Sequence, residues 1–289
     1  MMRSDKLDQQ YEALLTELYG LESRGEKFDL EGPRTLHQAL GQPGLGLRSV
    51  IIGGTNGKGS TSAFLEGCLR DAGLKTGLFT SPHLISFCER IRIDGEPIDR
   101  RVVVEQLSAI LEVALRCGNS FFETAWALAA KVFECSAVDV AIWEVGLGGR
   151  LDATNILEPE VSALVSIDLD HTAILGPTLG LIAREKVGIF RRGGQNLTAA
   201  RGEGLWAIRD AWQSELEVID MSPDLPRLAL KGSAQRRNAS LALAIARAMK
   251  VSVDPKALPG VQWAGRGERI DHLFLDCAHN PAGIDQLLE

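Results

Sequence analysis

The chain has 289 residues, of which 45% are hydrophobic and 24% charged, so it can bury the core of one large domain or two smaller ones. Its formal net charge of -7 argues against the broad basic surface of a nucleic-acid-binding protein. The N-terminal segment has no apolar stretch ending in small residues, and no run of about 18 apolar residues is present that could cross a bilayer. We therefore expect a cytoplasmic monomer whose partners are small molecules, with no nucleic acid and no membrane.

Hydrophobic periodicity predicts short apolar strands that alternate with helices. Helices are expected over 7–19, 59–72, 99–116, 122–135, 204–214 and 234–250. Strands are expected over 49–52, 75–79, 138–143, 161–167 and 273–275, with a hairpin over 89–98 that turns at Asp94-Gly95. This order is typical of an α/β fold, in which helices cover both faces of a mostly parallel sheet. Ligands of such folds gather at the carboxyl ends of the strands.

The five cysteines do not indicate a cross-linked or metal-bound framework. Their number is odd, and no two of them form a C-x-x-C pair. We expect reduced thiols that mostly fill the core.

A glycine-rich loop, Gly54 to Ser60, joins the first predicted strand to the helix that follows it. Backbone N–H groups of such a turn can surround phosphate oxygens, and Lys58 supplies a full positive charge. The loop departs from the general phosphate-binding pattern, because Ile52 stands where a glycine is expected and Gly59 precedes Ser60. Taken alone, the loop is also compatible with an ordinary glycine turn between a strand and a helix.

Seven short motifs follow one another along the chain. They are GTNGKGS at 54–60, TSPH at 80–83, EVGLGGRLDATN at 144–155, DH at 170–171, REK at 184–186, Q-x-x-NA at 235–239 and D-x-AHNP at 276–281. Together they resemble the motifs of the folylpolyglutamate synthase and dihydrofolate synthase family, which belongs to the Mur ligase superfamily. The resemblance covers roughly residues 48 to 283 and implies a bacterial protein.

The resemblance implies a domain organisation. Residues 1–262 would form an ATP-binding domain around a phosphate-loop sheet of the Mur ligase central-domain type. Residues 263–289 would begin a C-terminal α/β domain that helps to bind glutamate, with the remainder absent from this chain. We therefore expect these residues to be an abridged view of a longer protein.

The resemblance also implies an ATP-dependent amide ligase. In such enzymes ATP phosphorylates a carboxylate to an acyl phosphate, and the amino group of L-glutamate then displaces phosphate to form an amide. The acceptor is dihydropteroate, the γ-carboxyl of a (tetrahydro)folate, or both, and Mg²⁺ is expected at two sites. Two alternatives stay open: a Mur-type peptide ligase, whose usual loop is closer to GTxGKTT, and a nucleotide-binding module without ligase turnover.

Roles follow from the resemblance residue by residue. Nucleotide contacts are expected from Gly54, Thr55, Asn56, Gly57, Lys58, Gly59 and Ser60, and from Asn238, Arg266, Asp276 and His279. Metal ligands are expected to be Ser60, Ser81 and Glu144 at one site and His171 and Lys186 at the other, with Lys186 carbamylated. The expected catalytic residues are Lys58, His171 and Lys186, and the residues expected near the acceptor are Phe122, Glu123 and Asp152.

Several of these residues have a plainer alternative role. Glu144 could cap a helix or pair with Arg150. His171 could be an ordinary core or surface histidine, and Lys186 could be a solvated lysine on a helix. Phe122 could be a core residue of its helix rather than a platform for a flat heterocycle.

Overall fold

A computed structural model of the chain describes residues 2–24 and 29–288, and its strands and helices alternate along most of the sequence. The strands are β1 (Arg48–Gly53), β2 (Thr76–Phe79), β3 (Ile91–Ile93), β4 (Glu96–Pro97), β5 (Val140–Glu144), β6 (Val161–Leu164), β7 (Gln195–Thr198), β8 (Glu217–Val218), β9 (Glu268–Ile270) and β10 (Leu273–Leu275). The helices are α1 (Met2–Gly20), α2 (Glu31–Ala39), α3 (Lys58–Asp71), α4 (Arg100–Cys117), α5 (Phe121–Cys135), α6 (Thr172–Leu175), α7 (Leu179–Lys186), α8 (Gly202–Ala211), α9 (Ser233–Ala248) and α10 (Pro281–Leu288).

Eight strands form one sheet in the order β4-β3-β2-β5-β1-β6-β7-β8. The strands from β2 to β8 in that order are parallel, and β3 and β4 add an antiparallel hairpin at one edge. β1 lies in the middle, where Val50 pairs with Ile142 of β5 and with Val161 of β6. The carboxyl ends of β2, β5, β1 and β6 therefore lie side by side, which is where ligands bind in this class of fold.

The central strands are buried on both faces, which explains why they read as continuous apolar runs. On one face, Ile51 and Trp143 belong to a core that includes Trp126 and other side chains of α1, α4 and α5. On the other face, Val50 and Ile52 belong to a core formed with α3 and α9. Burying one such side chain stabilises the fold by roughly 1.5–3 kcal/mol, so the two layers together hold the sheet edge in place.

The predicted fold class is confirmed, and most element ends shift by only a few residues. The hairpin turns at Asp94-Gly95 as predicted, and α3 begins at Lys58. The prediction missed the helices α2, α6, α7 and α10 and the strands β7, β8 and β9. β7 and β8 are short, and β7 mixes polar and apolar residues, so it lacks the apolar run that signals a strand.

The cysteines agree with the prediction in part. All five are free thiols, as predicted, but only Cys68 and Cys88 are buried, so the expectation that the cysteines mostly fill the core is wrong. Within residues 2–24 and 29–288, no helix is long and apolar enough to span a membrane. In the segment 263–289, β9 and β10 form an antiparallel hairpin that precedes α10. The domain boundary at residue 262 stays a prediction.

Candidate nucleotide and metal site

The glycine-rich loop crosses the carboxyl end of the sheet between β1 and α3. Its backbone is tied to the segment after β6. The Thr55 N–H donates to the Ser166 carbonyl at 2.9 Å, and the Asn56 N–H donates to Ser166 Oγ at 3.0 Å. These bonds hold a preformed cradle at the N-terminus of α3, a position that favours an anion.

Two glycines of the loop are required by their surroundings. Gly57 has a φ of 88°, and a Cβ there would lie 2.8 Å from Asn238 Oδ1. A Cβ at Gly59 would lie 2.9 Å from the indole nitrogen of Trp263 and 3.6 Å from Glu144 Oε2. The loop thus packs against Asn238 of α9, which the motifs predict at the nucleotide. The loop also packs against Trp263, which belongs to no motif and was therefore not predicted as a site residue.

Two lysines converge on the loop. Lys58 Nζ donates to the carbonyls of Gly54 at 3.1 Å and Thr55 at 3.2 Å, and Lys186 Nζ donates to the Gly54 carbonyl at 3.0 Å. Lys186 is only 4% exposed, so the alternative of a solvated helix lysine is wrong. Burial, followed by the neighbouring charge of Lys58, lowers the pKa of Lys186 to about 7. A substantial fraction of this amine is therefore neutral near pH 7.

Oxygen atoms suited to a magnesium ion lie on α3 and at the end of β5. The Ser60 hydroxyl is fully buried and has no hydrogen-bond partner in the described part of the chain. Glu144 is also buried, and its Oε2 accepts the Ser81 N–H at 3.3 Å. Burial raises the pKa of Glu144 to about 7, although Lys58 opposes the shift. A hard cation would stabilise both the orphaned hydroxyl and the desolvated carboxylate, so Ser60, Ser81 and Glu144 fit the first predicted magnesium site.

The alternative roles for Glu144 do not match its surroundings. Arg150 pairs with Glu185 at 2.9 Å instead. Glu144 is the last residue of β5 and is followed by a loop, so it does not cap a helix. Its carboxylate is left facing the cleft beside the phosphate loop.

The residues predicted for a second metal site are not in direct contact. The His171 side chain is half exposed, and its Nε2 lies 3.9 Å from Asp170 Oδ2. Among the described residues, no hydrogen bond or ion pair joins His171 to Lys186. The same part of the chain contains no cluster of three or more His, Cys, Asp or Glu side chains that could hold a metal. The second site stays a prediction, and it requires Lys186 to gain a negative charge.

Asn280 connects the C-terminal segment to the phosphate loop. It exchanges two hydrogen bonds of 3.0 Å with the side-chain amide of Asn56. Its Nδ2 also lies 2.9 Å from Asp170 Oδ2, to which it donates. His279 Nε2 is 3.7 Å from the same carboxylate oxygen. Asn280 was not predicted as a site residue, although it lies inside the D-x-AHNP motif. The motif does not reveal that the Asn280 side chain pairs with Asn56.

A cleft of about 190 Å³ lies between the strand ends and the C-terminal segment. Predicted site residues line both of its sides: Gly59, Ser81, Glu144, Arg266 and His279. Asp276 is not in its wall. The Asp276 carboxylate accepts the backbone N–H groups of Gly267 and Ala278, both at 2.8 Å, so it shapes the turns that carry Arg266 and His279.

The first two residues predicted near the acceptor lie at the start of α5. The Phe122 ring is partly exposed and packs against Gly146, where a Cβ would lie 2.5 Å from the ring. The Glu123 carboxylate accepts the Ser120 N–H and the Asn119 side-chain amide, both at 2.9 Å. Glu123 therefore closes the N-terminus of α5 as half of a capping box with Ser120.

Asp152, the third residue predicted near the acceptor, organises the loop after β5. One carboxylate oxygen accepts the N–H groups of Gly146 at 3.0 Å and Leu147 at 3.1 Å. The other accepts the N–H and the hydroxyl of Thr154. Asp152 is buried, so it holds the backbone beside the Phe122 ring, and direct contact with an acceptor stays a prediction.

The fold and the site define an α/β protein with a glycine-rich loop of the phosphate-binding type between β1 and α3. A scan against protein-family models finds no match to this chain. A probable bifunctional folylpolyglutamate synthase/dihydropteroate synthase of Haloferax volcanii is 33% identical in an alignment of 319 positions that covers 96% of this chain and 38% of the relative. A dihydrofolate synthase/folylpolyglutamate synthase of Bacillus subtilis is 34% identical in an alignment of 317 positions that covers 94% of this chain and 74% of the relative. The chain belongs to the folylpolyglutamate synthase and dihydrofolate synthase family.

Solved structures show the same fold. The apo form of L. casei FPGS has a TM-score of 0.86 at 29% identity, over 96% of this chain and 79% of that one. An FPGS complex with AMPPCP and folate has a TM-score of 0.85 at 29% identity, with the same coverage. A bifunctional folylpolyglutamate synthase/dihydrofolate synthase with Mn, AMPPNP and L-glutamate has a TM-score of 0.83 at 30% identity, over 95% and 73%. The present chain spans 38% of the length of the Haloferax relative.

Proposed function

We propose that this protein is an ATP- and Mg²⁺-dependent ligase that adds L-glutamate to dihydropteroate, to the γ-carboxyl of a folate, or to both. The observation that carries the proposal is the position of Glu144 against the phosphate loop: its Oε2 would lie 3.6 Å from a Cβ at Gly59, and the charge of Lys58 acts on its carboxylate. Ser60, the next residue of the loop, has a buried hydroxyl without a partner among the described residues. A lysine for phosphate oxygens beside a carboxylate and a hydroxyl for a cation is what phosphoryl transfer requires. The relatives that hold AMPPCP with folate, or AMPPNP with L-glutamate, support the same substrate classes.

ATP would bind with its phosphates in the loop. The Lys58 amine now donates to the carbonyls of Gly54 and Thr55. Because its side chain is flexible, the amine would release these carbonyls and donate to β- and γ-phosphate oxygens instead. Asn238, which touches Gly57, would contact the adenine. Arg266 and His279 would reach the phosphates from the opposite wall of the cleft.

Ser60, Ser81 and Glu144 would hold the first magnesium ion. When bound, Mg²⁺ neutralises charge on the phosphate oxygens. It would also favour ionisation of Glu144, which burial disfavours in the free protein.

The acceptor carboxylate would attack the γ-phosphorus, so that a P–O bond forms and ADP leaves. The amino group of glutamate would then attack the acyl carbon, and phosphate would leave as the amide forms. The walls of the cleft would limit access of water to the acyl phosphate between these steps. Phe122 would face the flat ring of the acceptor, with Glu123 and Asp152 fixing the backbone around it.

Lys186 would act as a carbamate. Its neutral amine adds to CO₂, an N–C bond forms, and one proton leaves, so a buried cation becomes an anion. The pKa of about 7 provides the neutral amine for this reaction. The carbamate would remove the repulsion between Lys186 and Lys58 and would give the second site of His171 an anionic ligand.

One assay tests the proposed function. ADP release is measured with ATP, Mg²⁺ and L-glutamate, with dihydropteroate, tetrahydrofolate or a muramyl peptide as the acceptor. Release that depends on dihydropteroate or tetrahydrofolate supports the proposal and separates the two activities. Release with the muramyl peptide alone would identify a Mur-type peptide ligase. Binding of ATP without release for any acceptor would identify a nucleotide-binding module.

A further inference from the structure

Arg90 lies beside the TSPH segment, next to the proposed site. It is the last residue of a 3-10 helix, Phe87–Arg90, that leads into β3. Its carbonyl accepts the Thr80 N–H at 2.9 Å, which fixes its backbone against the residue before Ser81. Arg90 is therefore held at the strand end that also carries a predicted metal ligand.

The Arg90 side chain is a buried cation that forms no ion pair in the part of the chain that the structure describes. The residue is 8% exposed, and no carboxylate oxygen of the described residues lies within 4.0 Å of its nitrogens. The acidic residues that influence it act from farther away, and they are Glu22 and Glu144. Its guanidinium lies over the Phe121 ring at 4.9 Å. Burial of an unpaired charge is costly, so a ligand that supplies the missing charge would be bound strongly.

His83 does not supply the missing negative charge. Arg90 Nε donates to His83 Nδ1 at 2.8 Å, and a guanidinium nitrogen is always a donor, so Nδ1 must carry a lone pair. The ring proton is then on Nε2, which lies 3.4 Å from the Tyr19 hydroxyl. His83 is therefore a neutral ring that orients Arg90.

The rest of the guanidinium is open to a ligand. Its two terminal nitrogens have no hydrogen-bond acceptor among the described residues, and neither is sealed from solvent. Arg92, two residues later, differs: it donates to the Gly95 carbonyl, lies 4.0 Å from Glu66 and stacks on Trp263. Arg92 thus uses its guanidinium for contacts within the fold, whereas the two terminal nitrogens of Arg90 make no such contacts among the described residues.

The surroundings of Arg90 select the kind of anion. Tyr19 and Phe121 stack at 5.4 Å beside it, and Phe87 contacts Phe121 edge to face. Arg90 does not line the cleft of Gly59 and His279, where the nucleotide would lie. The buried rings form an apolar base under the guanidinium. In this apolar setting the free fork suits a carboxylate, which it can bind through two hydrogen bonds.

We propose that Arg90 binds the carboxylate of the acceptor and orients it beside Ser81 for phosphorylation, with His83 holding the guanidinium in place. This inference rests on the proposed function, because it concerns the acceptor of that reaction. It adds an acceptor-binding residue that lies outside the nucleotide and metal residues.

Binding of a carboxylate and its neutral analogue tests the inference. Pteroic acid and its primary carboxamide share the ring system, and only the acid is charged. Their Kd values are measured by calorimetry, with AMPPNP and Mg²⁺ present, for the parent protein, Arg90→Met and Arg90→Gln. Arg90→Gln keeps an N–H for His83 and guards against misfolding of the methionine variant. Arg48→Met is the matched control, because Arg48 is an arginine paired with Glu160 away from the site.

The parent protein and Arg48→Met should bind the acid about tenfold or more tightly than the amide. Both Arg90 variants should lose that preference, with the Kd of AMPPNP nearly unchanged and the melting temperature equal to or above that of the parent protein, because the buried charge is removed. If the Arg90 variants still prefer the acid, the inference is overturned and the proposed function is unaffected. The same holds if the parent protein binds the acid and the amide equally well. Parallel loss of AMPPNP binding would show a structural role and would also overturn it. Failure of the parent protein to bind either compound would contradict the proposed acceptor class and, with it, the inference.

Discussion

At the scale of single residues, two buried groups of opposite charge are both shifted toward their neutral forms. Burial raises the pKa of Glu144 to about 7 and lowers the pKa of Lys186 to about 7. Both groups lie beside the phosphate loop, where the charge of Lys58 adds to the shift of Lys186 and opposes the shift of Glu144. The free site therefore carries less charge than its sequence suggests, and a nucleotide with its cation would change the protonation of both groups.

Lys58→Ala should reduce ADP formation by about a hundredfold or more, because it removes the charge placed to stabilise the transferring phosphoryl group. The Kd of AMPPNP should also increase. The matched control is Lys231→Ala, an exposed lysine that precedes α9. Near-normal turnover of Lys58→Ala would refute the role of Lys58.

Glu144 makes the stability of the free protein depend on pH. Its folded pKa of about 7 lies above the ordinary value of 4.5, so the folded state holds more protons between these two values. The associated stability is fully present below pH 4.5 and is lost as the pH rises through 7. A shift of this size corresponds to at most roughly 3 kcal/mol.

Glu144→Gln stays neutral at every pH and should avoid this loss. In EDTA and without nucleotide, its free energy of unfolding relative to the parent protein should increase between pH 5 and pH 8, as measured by urea unfolding. Glu105→Gln, at an exposed position of α4, is the control. Mg²⁺ with AMPPNP should stabilise the parent protein more than Glu144→Gln, and equal stabilisation would remove Glu144 from the ligand set.

Lys186 should carry a carbamate when CO₂ is available. Protein equilibrated with ¹³C-bicarbonate should show a carbamate carbon signal by NMR, which should weaken as the pH falls below about 7 because the amine is then protonated. Lys186→Met should lack the signal, and Lys131→Met, which replaces a partly exposed lysine of α5 paired with Glu134, should retain it. A spectrum without a carbamate in the parent protein would leave the second metal site without its anionic ligand.

At the scale of secondary structure, α5 depends on its capping box. Ser120 and Glu123 satisfy each other's backbone N–H groups, and the helix that they start carries Trp126 and Phe133 into the core. α5 also positions the Phe122 ring, so the cap links helix stability to the proposed acceptor side.

Ser120→Ala should lower the free energy of unfolding by about 1 kcal/mol, because one N–H of the first turn loses its partner. Ser136→Ala, at the other end of the same helix, is the control and should change it by less than about 0.5 kcal/mol. Equal effects of the two substitutions in urea unfolding would show that the cap does not stabilise α5.

At the scale of the whole molecule, the amide pair of Asn56 and Asn280 joins segments that are 224 residues apart. It connects the phosphate loop to the start of α10, and Asp170 shares the same amide. Occupancy of the loop and the position of the C-terminal segment should therefore be linked.

Asn280→Ala should loosen the segment 263–289 without unfolding the sheet. Asn56 and Asp170 would each lose a side-chain partner, so amide hydrogen exchange should become faster in this segment, while α3 and the central strands stay protected. Asp285→Asn, on the exposed part of α10, is the control. Unchanged exchange in 263–289 would show that the amide pair does not hold the segment.

The helices and strands that the sequence predicted well are those with strong local signals. α4 and α5 have long apolar periodicity, and β1 and β5 are apolar runs that end at glycine or glutamate. α2 and β7 were missed because each is short and mixes polar with apolar residues. The sequence predicted those site residues that belong to a motif. Residues outside the motifs, such as Trp263 and Arg90, were not predicted as site residues.

The sequence by itself determined the class of fold and the chemistry of the phosphate loop, since apolar runs, glycine turns and motif spacing are local properties. Tertiary structure alone decided that Lys186 is buried against Gly54, that Asn280 pairs with Asn56, and that Arg90 has no counter-ion within residues 2–24 and 29–288. These facts depend on how segments far apart in the chain pack together. Burial and partners, which set the charge of a side chain, therefore became visible only in the folded protein.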